Sequence, residues 1–87
     1  MPATYIVNGT IHASIAQDAV AAGNGLNAVV IQAIGGDLRV NVGADASGTA
    51  GETVFENTSS TFTMINGQRI SVWSTTDAMT YSVRTAV

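Results

Sequence analysis

Residues 27–43 read NAVVIQAIGGDLRVNVG, and the fold turns on how this stretch is read. Two runs rich in β-branched residues, 28–34 and 37–42, flank Gly35-Gly36, whose glycines can both take the positive φ of a type I′ turn. The pattern predicts a β-hairpin. Its register sets Ala33 opposite Leu38, Ile31 opposite Val40 and Val29 opposite Val42 on one apolar face. Gln32 then faces Arg39, and Val30 faces Asn41, on a mostly polar one. A slip of one residue would mix the two sets, so turn and alternation agree.

Working outward, 87 residues leave room for one domain, which buries about 60 to 65% of the surface its unfolded chain exposes. Residues 27–87 read as the β-sandwich core of that domain and residues 1–26 as an N-terminal arm or its first strands. The chain has no cysteine, and nothing in it resembles a zinc ligand set, so extra stabilisation is expected from association with copies of itself or with a partner. Charged residues make up 10% of the chain, against about 25% in an ordinary soluble domain, which points to a surface that is largely covered. Lysine is absent, and Arg39, Arg69 and Arg84 stand against six carboxylates for a net charge of -3. Phosphate neutralisation needs clustered cations, so nucleic acid is not an expected partner. MPATYIVNGT has neither a basic region nor an apolar one, and no apolar run reaches about 18 residues, so the expectation is a cytosolically made chain that spans no membrane.

Before the central stretch, Asn8-Gly9 lies between residues 4–7 and 10–15, where Ile11, Ala13 and Ile15 alternate with Thr10, His12 and Ser14. This fits either a short hairpin or one strand preceded by an extended arm. Residues 14–23 are open between a helical turn, capped by Ser14 and Gln17 and stopped at Gly23, and an irregular or extended segment. After it, residues 43–52 (GADASGTAGE) offer nothing to anchor a core and read as a surface loop. Strands follow at about 53–56 and 60–64. A three-residue loop, Ile65-Asn66-Gly67, sets Phe62 opposite Ile70; the alternative places these strands in different sheets. Residues 68–74 and 79–86, joined by Thr75-Thr76-Asp77-Ala78, pair Val72 with Tyr81 and Ile70 with Val83. The expected fold is all-β: a small antiparallel β-sandwich or small barrel of seven to eight short strands.

Few residues invite chemistry. His12, with Ser14 and Asp18 nearby, allows a hydrolase triad to be imagined, but no nucleophile-elbow pattern exists, and an exposed strand histidine is the plainer reading. Asp45, Ser47, Thr49 and Glu56 occupy positions 1, 3, 5 and 12 of a calcium-loop spacing. Ala50 stands where that loop needs glycine and strands flank it, so no metal is assigned. Gly35-Gly36 and Gly23 to Gly25 lack the helix and lysine of a phosphate cradle. No catalytic residue and no cofactor are expected.

Trp73 is open to three readings: returned to the core by a bulge, an interface anchor, or a sugar-stacking platform that needs polar neighbours. The register that pairs Val72 with Tyr81 also pairs Trp73 with Thr80, Ser71 with Ser82, and Arg69 with Arg84. Like charges directly opposite are unfavourable. Arg69, Trp73 and Arg84 are therefore the candidate interface, with a partner's carboxylate offsetting the arginines; the alternative is a bulge that separates them.

The order of NAVVIQAIGGDLRVNVG, ADASGTAGE, TVFENTSSTFTM and GQRISVWSTTDAMTYSV, over residues 27–87, resembles small virion structural proteins of tailed bacteriophages, of the capsid decoration (cement) or head-fibre kind. The resemblance implies a compact β-sandwich or jelly roll, often trimeric, mounted on an assembled shell. Its partners would be copies of itself and the major capsid protein or another virion protein. It implies no enzymatic activity, and it offers no catalytic residues to carry over. The alternative is a receptor- or glycan-binding module of a fibre or tail, touching its target through Trp73 and the 43–52 loop.

Overall fold

The computed structural model describes residues 6–23, 25–65 and 67–85, all of them in strands, turns and loops, with no helix among them. Hence no described segment is a helix long and apolar enough to cross a membrane. Eight strands run β1 (Ile6–Thr10), β2 (Gln17–Val20), β3 (Ala28–Ile34), β4 (Leu38–Val42), β5 (Glu52–Val54), β6 (Ser59–Thr63), β7 (Ile70–Trp73) and β8 (Thr80–Thr85). Sheet I has the order β1-β8-β3-β6 and sheet II the order β2-β7-β4-β5. Every pairing is antiparallel. The chain is a β-sandwich, as expected.

Its pairing follows one rule. Strand β1 pairs with β8, β2 with β7, β3 with β6 and β4 with β5, so the first half of the chain lies antiparallel to the second, as one long ribbon. Folding that ribbon over brings β3 beside β8 and β4 beside β7, which completes the two sheets of a jelly roll. The ribbon turns back on itself at the β4–β5 connection, the one link between consecutive strands that stays within a sheet.

Gly35-Gly36 therefore does not close a hairpin. Strands β3 and β4 lie in opposite sheets, Ile31 pairs with Val83 and Ser60, and Val40 pairs with Val72 and Glu52. A type I′ turn needs positive φ at both central residues; Gly35 has φ 85°, whereas Gly36 is not in that region. Gly36 is instead pressed against Thr76, whose Oγ1 would lie 2.9 Å from a Cβ at that position. The predicted faces are nonetheless correct. Val29, Ile31, Ala33, Leu38 and Val40 are buried, Val42 packs partly against them, and Gln32 and Arg39 point outward. Alternation fixes which side of a strand is apolar, but the same apolar side serves a neighbour in the sheet or a strand across the core.

The other expected pairings fail for the same reason. Val72 pairs with Val40 and Gln17, Tyr81 with Ala33 and Gly9, and Phe62 with Val29, so β6, β7 and β8 form no consecutive hairpins. For β6 and β7 the alternative of separate sheets holds. Asn8-Gly9 lies inside β1, opposite Ser82 and Tyr81, which leaves one strand; the arm before it lies outside the described residues. Residues 11–16 are a loop in which Ile11 is buried and Ile15 exposed, so the alternation expected there does not continue as a strand. Beyond them the chain is extended as β2 rather than helical. Gln17 Oε1 accepts the N–H of His12 (2.9 Å) and Gln17 Nε2 donates to Thr10 O (3.1 Å), so this side chain braces the loop instead of capping a helix at Ser14.

The loops at one end of the sandwich are linked in series. Ser14 N–H donates to Ser74 O and Ala13 N–H to Asp77 Oδ1, joining the β1–β2 and β7–β8 loops. Ser74 Oγ donates to Asp37 O, and Glu56 N–H donates to Asp37 Oδ1, which extends the chain of bonds through the β3–β4 turn to the β5–β6 turn.

Candidate functional site

The outer face of sheet II carries Arg69 and Trp73, two of the three residues of the candidate interface. Along β7, Trp73, Ser71 and the flanking Arg69 alternate with the buried Val72 and Ile70. The register with β4 is unbroken and sets Arg39 opposite Trp73 and Asn41 opposite Ser71. The shift in this sheet lies in the β2–β7 pairing, between Asp18 and Val20. Trp73 is thus neither returned to the core by a bulge nor fully exposed; it is half-buried on the outer face.

Residues 43–51, between β4 and β5, partly cover that face. Ala46 is buried there, and its N–H donates to Ser71 Oγ at 3.0 Å. Asn41 Nδ2 donates to Asp45 O at 3.2 Å, and Arg39 donates to Gly51 O at 3.1 Å. Ser47 Oγ accepts the N–H groups of Thr49 and Ala50, closing a tight turn within the loop. The segment does anchor a buried side chain, against the expectation of a featureless loop. Nothing in the sequence marks Ala46 apart from the other alanines of the segment, so this contact was not legible there.

Arg69 ties the arrangement together. Its guanidinium reaches Asp18 Oδ1 on β2 at 2.8 Å and Asp45 Oδ1 in the loop at 2.9 Å. Hydrogen bonds to Asp18 and then Asp45 raise its pKa above the ordinary arginine value, so it stays charged wherever the protein is folded. Arg84 is far from this cluster in the topology. It lies on the exposed outer face of sheet I, opposite Ile6 and Val30. The structure keeps Arg69 and Trp73 on one face and places Arg84 on another, so the expected Arg69–Arg84 cross-strand pair does not form. The demand for a carboxylate at Arg69 is met within the chain, by Asp18 and Asp45.

Beside Trp73 lies an open depression of about 300 Å³, lined by Asp37, Leu38, Arg39, Gly48, Thr53, Trp73, Ser74 and Thr75. Gly48 approaches the benzo ring of Trp73 so closely that a Cβ there would lie 3.2 Å from Cη2. These neighbours come from three separate parts of the chain and meet only because β4 pairs with both β5 and β7.

The remaining candidates are dispersed. His12 is exposed in the β1–β2 loop rather than on a strand, and the carboxylate of Asp18 is held by Arg69. Glu56 lies beyond β5, which carries it away from Asp45, Ser47 and Thr49, so the calcium-loop spacing does not become a loop. Among the described residues no three His, Asp or Glu side chains converge as a metal site. Compared with protein-family models, with curated proteins and with solved structures, the chain has no match.

Proposed function

We propose that this chain is a non-enzymatic structural protein of a virion, which decorates and reinforces an assembled capsid shell. The observation that carries this reading is the outer face of sheet I. By register and alternation it displays Asn8 and Thr10 from β1, Ala28, Val30, Gln32 and Ile34 from β3, Ser59, Thr61 and Thr63 from β6, and Thr80 and Ser82 from β8, a mixture of hydroxyls, amides and a few aliphatic groups. Among its described side chains Arg84 is the single charge. Hydroxyls and amides lose less on leaving water than ions do and recover hydrogen bonds from a partner surface, so such a face suits extended contact with another protein. Arg84 on it offers a fork-shaped donor for one carboxylate of the shell.

The pattern resemblance over residues 27–87 supports the same reading, as does the sparse charge of the whole chain. The partner is the major capsid protein or another virion protein, and the chain docks as a homo-oligomer, with a trimer favoured by the resemblance. The test is quantitative mass spectrometry of virus particles purified from the source of the sequence. A copy number that scales with the capsid protein supports shell decoration. Absence from the particle overturns the proposal.

A further inference from the structure

The geometry points to the depression at Trp73 as a binding site for a single neutral pyranose ring, such as the terminal sugar of a glycan. The inference does not rest on a virion role and fails or stands separately from it. Three observations carry it. First, the ring of Trp73 is half-buried and its surroundings are held. Gly48 lies over one side of its six-membered ring, Ala46 two residues earlier is bonded to Ser71, and Arg69 clamps Asp45. Holding the aromatic surface in advance lowers the ordering cost of binding.

Second, the groups around the ring are mixed in the way a sugar is mixed. A pyranose presents polarised C–H groups on its face and hydroxyls along its edge. The electron-rich face of an indole attracts the first. Asp37, Arg39, Thr53 and Thr75, which line the same depression, are suited to the second: a carboxylate to accept from hydroxyls, a guanidinium to donate to them, and two hydroxyls that do either. One guanidinium donor is engaged by Gly51 O and one Asp37 oxygen by the N–H of Glu56, which orients both groups.

Third, charge and size select among ligands. One carboxylate and one guanidinium leave the lining without net charge, and the chain as a whole is acidic, so an anionic sugar or phosphate gains nothing here. The volume of about 300 Å³ lies at the small end of ligand sites and suits one ring rather than an extended chain. Gly48 serves this reading directly, because a larger side chain there would intrude on the approach to the indole.

Trp73 is the chain's only tryptophan, so its fluorescence and its indole N–H resonance report on this site alone. The experiment titrates the full-length protein with methyl pyranosides of glucose, galactose, mannose and N-acetylglucosamine, following both signals. The expected result is a saturable change with at least one glycoside. Arg39→Gln should weaken it by about tenfold or more, as loss of a charge-assisted hydrogen bond does. Gly48→Val, which keeps the tryptophan as reporter, should remove it while the amide spectrum shows an intact fold. No saturable change with any glycoside overturns the inference. So does a change that is the same in the parent chain, Arg39→Gln and Gly48→Val.

Discussion

Ser71 lies on the outer face of sheet II yet is fully buried, because the N–H of Ala46 donates to its hydroxyl at 3.0 Å and the β4–β5 loop covers it. Ser71 thus joins Asn41, Arg39 and Arg69 in fastening the one connection around which the ribbon of strands doubles back. Ser71→Ala leaves a buried amide without its acceptor, which costs about 1 to 3 kcal/mol. Chemical denaturation should show that loss, and hydrogen exchange should show the Ala46 amide opening faster while amides of β3 and β8 stay protected.

Gly9 and Tyr81 are direct partners across β1 and β8, and a Cβ at Gly9 would overlap the phenol ring. Gly9→Ala should therefore destabilise by about 1 to 3 kcal/mol, as overpacking does. In a Tyr81→Leu background the same change should cost less. A double-mutant cycle read by thermal or urea unfolding measures the coupling between the two positions.

Ser74 is buried, and its hydroxyl donates to Asp37 O at 2.7 Å while accepting the N–H of Thr76 at 3.1 Å. Ser74→Ala removes both bonds at the point where three loops meet. The expected cost is about 1 to 3 kcal/mol by equilibrium unfolding. Loss of protection should concentrate at residues 74–78 rather than at the opposite end of the sandwich.

The arginines should behave unlike one another. Arg69→Ala releases Asp18 and Asp45 from their shared partner, so residues 43–51 should become more mobile in 15N relaxation, and the difference from the parent chain should shrink at high salt. Arg84 is exposed and makes no ion pair within the described residues, so Arg84→Ala should change stability by no more than about 0.5 kcal/mol.

These contacts also mark how far the sequence could be read. The strands from β3 onward, their apolar faces and the sandwich class were legible, because period-two burial is written directly into VVIQAI, LRVNV and TYSVR. Partner choice was not. Gly35-Gly36 looks like a hairpin turn, but Gly36 is held against Thr76 and the chain crosses to the other sheet. Residues that meet across about 10 Å of core carry the same alternation as residues that meet along a sheet. The Trp73 depression was legible only as a tryptophan on an outward position. Its neighbours Asp37, Arg39 and Thr53 arrive through the β4–β5 and β4–β7 pairings, and no local signal announces which strands adjoin.

The most direct test of the structural role is a carboxylate placed in the outer face of sheet I, where Arg84 is the single charge among the described side chains. Ser82 sits on β8 between Asn8 of β1 and Gln32 of β3. The measurement is co-sedimentation of the parent chain and of Ser82→Glu with assembled shells from the same source, with unfolding of both variants recorded in parallel. The account predicts that the parent chain sediments in proportion to the capsid protein. Ser82→Glu should remain folded but stay in the supernatant, because a carboxylate enclosed in that contact loses its hydration. Binding of Ser82→Glu equal to that of the parent, or no binding by the parent itself, would contradict it.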